Sequence, residues 1–201
     1  MLEITIENAY KILKKYLECS NPNKFEHSIR VAGTCKILAK KWCSSEEFVK
    51  TAIICGLLHD IGKSISEEKM LSLCLQKNLP LYDFELFETP KALHGKVGAI
   101  LFESEFNNKD IKKFNAISHA ISSHTTGNET MNLLDKITFI ADNIEPKKDE
   151  ELFNLIKHDN TNSPNEYIKM IIKKKIKRAK ENNRVLNPLL KCTKNSLKDE
   201  R

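Results

Sequence analysis

Apolar residues along this chain recur at intervals near 3.6 and almost nowhere at intervals of 2, and no hairpin dipeptide interrupts them, so the pattern predicts an all-helical protein. A first stripe of Ile4, Ala9, Ile12, Leu13, Tyr16 and Leu17 predicts a helix from Glu3 to Cys19 that Asn21-Pro22 ends. Phe25, Ile29, Ala32, Leu38 and Ala39 predict a second from Asn23 to Trp42, with His27 in its first turn. Ser44-Ser45-Glu46-Glu47 fits a capping box opening a third, whose last residues are the apolar run Ala52 to Leu58 followed by His59-Asp60 and Gly62. Ser64-Ile65-Ser66-Glu67 repeats the capping signal for a short helix to Lys77, and Asn78 to Ala92 reads as a short helix and loop approaching His94. Helices are predicted over Leu93 to Phe106 and Lys109 to Ser123, the second delivering His119 and His124 before the turn-like Thr125-Thr126-Gly127-Asn128. Met131 to Glu145 carries Leu133, Leu134, Ile137, Ile140, Ala141 and Ile144 on one face, with Asp142 off that stripe near Thr138 and Glu145, and Pro146 as its terminator. Ser163 and Pro164 open the last long helix, which runs to Asn182.

Composition narrows the class. The chain has 201 residues, 40% hydrophobic and 30% charged, which suits one domain, expected over residues 1–190, followed by a tail from Lys191 to Arg201 expected to be disordered. Met1 to Tyr16 mixes charges with apolar residues, so neither a signal peptide nor a membrane span is expected there, and the expected location is the cytoplasm. Six cysteines lie far apart with no CxxC pair, which predicts free thiols. The net charge of +6 is uneven, since residues 145–201 hold 15 Lys and Arg against 9 Asp and Glu. Lys173, Lys174, Lys175, Lys177, Arg178 and Lys180 could bind nucleic acid, but aromatic residues are scarce there and a solvated helix face is the simpler reading, so nucleic acid is not expected as a partner.

The chemistry concentrates in histidines and aspartates. Burying an unpaired carboxylate at the end of an apolar helix costs several kcal/mol, so Asp60 needs a cation or strong donors, and His59 beside it points to a metal. His27, His59, His94, His119, His124 and His158 together with Asp60 and Asp142 offer a hard N/O donor set of the kind that suits Fe, Mn or Mg. An ion so held lowers the pKa of its water and polarises a phosphoryl oxygen. Lys63, one turn beyond Asp60, and Arg30, one turn beyond His27, can reach phosphate oxygens, and Thr125, Thr126 and the turn before Gly127 offer further anion partners.

Five stretches, FEHSIRVA (Phe25 to Ala32), GLLHDIGK (Gly56 to Lys63), LHGKVGA (Leu93 to Ala99), SSHTTG (Ser122 to Gly127) and IADNIEP (Ile140 to Pro146), resemble the YqeK family of HD-domain proteins, the symmetrical diadenosine tetraphosphate hydrolases. The resemblance covers roughly Lys24 to Lys148, and less clearly continues to Leu189. It implies an HD-domain helical bundle with a metal on His27, His59, Asp60 and Asp142, and with His94 and His124 either on a second metal or on the phosphates. It implies iron, one or two ions, replaceable by manganese or another divalent ion, and a dinucleoside polyphosphate or nucleotide as substrate. Asp60, Lys63, His94 and His124 become the expected catalytic residues, and Lys24, Arg30, Thr125, Lys148, Arg184 and Asn187 join them as substrate-binding candidates. Lys148 stands where the family has an arginine, which keeps the charge and loses the bidentate fork. Arg184 to Pro188 resembles the family's loop near the nucleotide. His119 has no counterpart and reads as a satisfied helix histidine; a homodimer is left open. Two other readings stay in view: another HD phosphohydrolase, such as a nucleotidase or a cyclic-nucleotide phosphodiesterase, whose GYP signature is absent, and a non-enzymatic RNA-associated protein.

Overall fold

A computed structural model describes residues 1–197, and the expectation for 198–201 lies outside the described residues. Ten α-helices account for most of it: α1 (Ile6–Leu13), α2 (Pro22–Trp42), α3 (Glu46–Leu58), α4 (Glu67–Gln76), α5 (His94–Glu105), α6 (Ile111–Ser123), α7 (Leu133–Ile144), α8 (Pro146–His158), α9 (Pro164–Glu181) and α10 (Pro188–Ser196). The all-helical expectation holds; among the described residues strand-like pairing amounts to one isolated bridge between Leu2 and Phe106. Helix α7 is the axis. It packs against α2, α3, α6 and α9, and Ile137, Phe139, Ile140, Ala141 and Ile144 are all fully buried. Each large apolar side chain enclosed this way stabilises the fold by roughly 1.5–3 kcal/mol.

Two contacts aim the chain at one place. A Cβ on Gly56 would lie 2.6 Å from the Ala32 Cα, so glycine is what lets α3 press against α2. A Cβ on Gly62 would lie 2.1 Å from the His94 carbonyl oxygen, so the turn after Asp60 sits directly on the start of α5. Both contacts bring His-bearing segments together: α2 carries His27, α3 ends at His59, and α5 begins at His94.

The predicted helices appear with shifted ends and two additions. The first splits into α1 and a wider π turn over Lys14–Glu18, and a π turn at Phe84–Glu88 and a 3-10 turn at Pro90–Leu93 lead to His94. Ser45, not Ser44, caps α3, accepting from the Phe48 N–H at 3.3 Å, and Ser66 precedes α4 without a side-chain cap. Pro146 does not only end α7. It occupies the first position of α8, a helix hidden in the sequence because its mixed charges leave only Leu152 and Ile156 buried, and because Asp149 breaks it with non-helical backbone (φ −159°, ψ 77°). Within the stretch expected to be a tail, residues 191–196 belong to α10, held by buried Leu190 and by the Thr193 hydroxyl donating to the Thr126 carbonyl at 3.0 Å. All six cysteines are free, with Cys35, Cys55 and Cys74 buried. Among the described residues no helix is long and apolar enough to cross a membrane.

Candidate active site

Four histidines point their Nε2 atoms into one buried space, and each is aimed by a partner on its other nitrogen. His59 Nδ1 donates to the Gly56 carbonyl (2.8 Å), His94 Nδ1 to the Lys91 carbonyl (2.6 Å) and His124 Nδ1 to the Ile121 carbonyl (2.7 Å), the same three-residue reach in every case. A carbonyl only accepts, so each Nδ1 carries the hydrogen, and each ring, when neutral, presents an Nε2 lone pair. His27 differs: its Nδ1 faces the Glu145 carboxylate at 3.2 Å, and Arg30 locks that carboxylate through Nε (2.7 Å) and Nη2 (3.3 Å).

The lone pairs then face one another. His27 and His59 Nε2 are 3.3 Å apart, His94 and His124 Nε2 are 3.1 Å apart, and His27 Nε2 meets Asp142 Oδ1 at 2.9 Å. Asp60 lies between the two pairs. Its Oδ2 is 3.5 Å from His59 Nε2 and 3.8 Å from His27 Nε2, while its Oδ1 is 3.3 Å from His94 Nε2 and 3.4 Å from His124 Nε2. Oδ1 is buried and makes no hydrogen bond. Facing lone pairs and an orphaned carboxylate oxygen repel unless a cation sits among them. Donors about 3 Å apart match ligands at right angles around one ion at roughly 2.1 Å. The residues therefore fit two metal positions, one at His27, His59 and Asp60 and one at Asp60, His94 and His124, with Asp60 common to both. Asp142 borders the first, 3.5 Å from His59 Nε2.

The charges of these side chains are coupled. Burial pushes the Asp60 carboxyl up, but the charge of His59 beside it overcomes this and holds it well below the carboxylate range. Burial likewise opposes Asp142, which His27, His59 and Lys148 hold down. Burial also works against the His59 cation, yet Asp60 and Asp142 raise its pKa to about 9, whereas His124 is pushed down by burial to about 4.

The expected substrate groups fall into three places. Lys63 sits on Asp60 Oδ2 (2.7 Å), with Lys24 3.8 Å from the same oxygen, and Lys148 sits on Asp142 Oδ1 (2.6 Å). The Thr125 hydroxyl is 3.1 Å from both His94 Nε2 and His124 Nε2. Arg184 and Asn187 line a largely apolar cavity of about 480 Å³ that opens at His94 and Thr125, with Phe84, Leu186 and Leu190 among its walls. Arg30 is the exception, since Glu145 takes its guanidinium. His119 reads as expected: its Nδ1 lies 2.9 Å from Asp135 Oδ1, and Asp135 also completes the capping box of α7 with Asn132. Three groups escaped the sequence reading. Glu145 lies three residues beyond Asp142, on the same helical face, and that spacing was the available signal. Lys175 and Arg178 of α9 line the clefts beside the site although their run of basic residues reads as a solvated face.

Comparison with known proteins agrees with this arrangement. The HD domain family matches residues 25–147. The symmetrical bis(5'-nucleosyl)-tetraphosphatase of Staphylococcus aureus is 33% identical over 147 residues, covering 71% of this chain and 68% of the relative, and that of Halalkalibacterium halodurans is 32% identical over 140 residues, covering 70% and 68%. A crystal structure described as a predicted HD superfamily hydrolase involved in NAD metabolism, from Clostridium acetobutylicum, superposes with a TM-score of 0.77 at 25% identity over 98% of both chains. With its histidines and aspartates in the HD arrangement and relatives of this identity over most of their length, the chain belongs to the HD-domain hydrolase family, in the branch of the symmetrical bis(5'-nucleosyl)-tetraphosphatases.

Proposed function

We propose that this protein hydrolyses diadenosine tetraphosphate and related dinucleoside polyphosphates at the central phosphoanhydride bond, in keeping with relatives known as symmetrical bis(5'-nucleosyl)-tetraphosphatases. Water adds to an inner phosphorus, the P–O bond to the other inner phosphate breaks, and the leaving ADP takes up a proton, so both products are ADP. The observation that carries the reading is the position of Asp60, whose two oxygens face two separate histidine pairs. Divalent ions held there, iron or manganese in this reading, supply the charge that activates the attacking water and offsets that of the phosphates.

The chain's own groups do the rest. His59, His94 and His124 are pinned through backbone carbonyls and His27 through Glu145, so four Nε2 donors are preorganised before any ligand arrives. Lys63 rests on Asp60 and Lys148 on Asp142, and were those carboxylates to hold an ion, the two ammonium groups would be free to meet phosphate oxygens. Lys24 and Lys63 line an 880 Å³ cleft on one side of the site, and Thr125 adds a hydroxyl on the other. Asn187 Nδ2 is buried without a hydrogen-bond partner at the apolar cavity, where Arg184 also lies, and a nucleoside there would accept from it. In this reading residues 1–190 act as one catalytic unit in the cytoplasm.

Turnover of diadenosine tetraphosphate by purified protein, before and after chelation and with ferrous or manganous ion restored, tests the reading. Metal-dependent turnover of this substrate supports it. Rapid hydrolysis of nucleoside monophosphates or cyclic dinucleotides, with diadenosine tetraphosphate untouched, would move the chain to a different HD phosphohydrolase reaction.

A further inference from the structure

The basic run on α9 is not a uniform surface. One stripe of the helix reads Ile168, Ile171, Lys175, Arg178, Asn182, at steps of three and four. Ile168 and Ile171 are buried in the core, and the same stripe turns cationic where it passes the active site. There Lys175 and Arg178 belong to two cavities at once. One is the apolar cavity that opens at His94 and Thr125; the other is a cleft of about 360 Å³ lined also by Asp142, Lys148 and Lys174. The Lys175 ammonium lies 5.3 Å from the centre of the fully buried Phe139 ring of α7 and lines both cavities. Lys174 is bound to Asp149 and Lys148 to Asp142, which leaves Lys175 and Arg178 as the cations of this cleft with no ion pair among the described residues. Burial, with Lys148 and Lys63 nearby, draws the Lys175 ammonium down to about 8, against the pull of Asp142, so it sits in a field that an added anion would relieve.

We propose that Lys175 and Arg178 form an anion subsite joining the two clefts, which holds the phosphates of the substrate half lying beyond the metal positions from the apolar cavity. The inference rests on the dinucleoside polyphosphate reading and deepens it: a substrate with a single nucleotide fills one cleft, while a phosphate chain with a nucleoside at each end must run past both cations. Lys173, on the same helix, is exposed and lines neither cleft, so it serves as the control for general electrostatics.

The test is calorimetric binding of inorganic tripolyphosphate to metal-loaded wild-type protein and to Lys175→Met, Arg178→Met and Lys173→Met, with metal content and helical circular dichroism measured on each. Methionine keeps an unbranched apolar side chain beside Phe139, and Arg178 is exposed, so both variants should retain the fold. The expected result is that Lys175→Met and Arg178→Met each weaken tripolyphosphate binding about tenfold or more, as loss of one charge-assisted hydrogen bond predicts, with metal content unchanged and Lys173→Met binding as wild type does. Unchanged affinity in both cleft variants, or an equal loss in Lys173→Met, would overturn the subsite. Because binding is read without turnover, a protein that binds tripolyphosphate through Lys175 yet leaves diadenosine tetraphosphate intact would sink the proposed reaction and keep the subsite.

Discussion

His94 and His124 face each other through Nε2 atoms 3.1 Å apart, with the hydrogen of each ring already committed to a backbone carbonyl. Two lone pairs held that close, with Asp60 Oδ1 3.3 and 3.4 Å away, make a group that could hold a cation, built from residues on three different segments. His27 and His59 repeat the arrangement on the other oxygen of Asp60.

The two histidine pairs predict metal stoichiometry. Protein purified without chelator should carry two ions per chain by elemental analysis. Removing both His94 and His124 as alanines should leave about one, and Asp60→Ala should leave none while the helical circular dichroism is kept. Two ions retained in the double variant would show that this pair serves only phosphate.

Glu145 predicts a positioning effect. It is 2% exposed and holds His27 Nδ1, with Arg30 in turn holding it, so it stands behind the ligand as carboxylates commonly do in metal sites. Glu145→Gln keeps the shape and removes the charge, which should weaken metal binding about tenfold to a hundredfold. Arg30→Met should weaken it in the same direction, since the carboxylate then loses its clamp. Competition with a metal-sensitive dye measures both, and affinities equal to wild type would make the contact merely structural.

Much of this site was legible in the sequence. HDIGK, LHG and HTTG bring their histidines to helix ends, and helix ends are where the fold converges, so His27, His59, Asp60, His94, His124 and Asp142 could be named from spacing and resemblance. Arg30 could not be placed correctly, because helical spacing puts it on the His27 face but says nothing of Glu145, which comes from a residue 115 positions away. Lys175 was misread for a related reason: six cations within eight residues look alike in sequence, and only the packing of Ile168 and Ile171 decides which of them face inward. Helices α8 and α10 were missed because each buries only two side chains, too few to show a period.

Metal uptake should release a proton near neutral pH. In the metal-free protein Asp60 and Asp142 hold the His59 pKa at about 9 against burial, so His59 is protonated at pH 7, and a ligand nitrogen must be neutral. Its folded pKa is raised, so metal competes with a bound proton below about 9. Apparent affinity should therefore rise with pH up to about 9 and level off above it. Titration calorimetry in buffers of different ionisation enthalpy counts the proton; uptake without release at pH 7 would contradict the charge assignment of the pair.

The position of bond cleavage tests the account most directly. Diadenosine tetraphosphate incubated with the ferrous or manganous protein and resolved by anion-exchange chromatography should give ADP as the sole product, because in the proposed register the cations lining the clefts on both sides of Asp60 hold an inner phosphorus in place, with one phosphate on its nucleoside side and two on the other. AMP with ATP would put the attacked phosphorus one position further out and contradict that register.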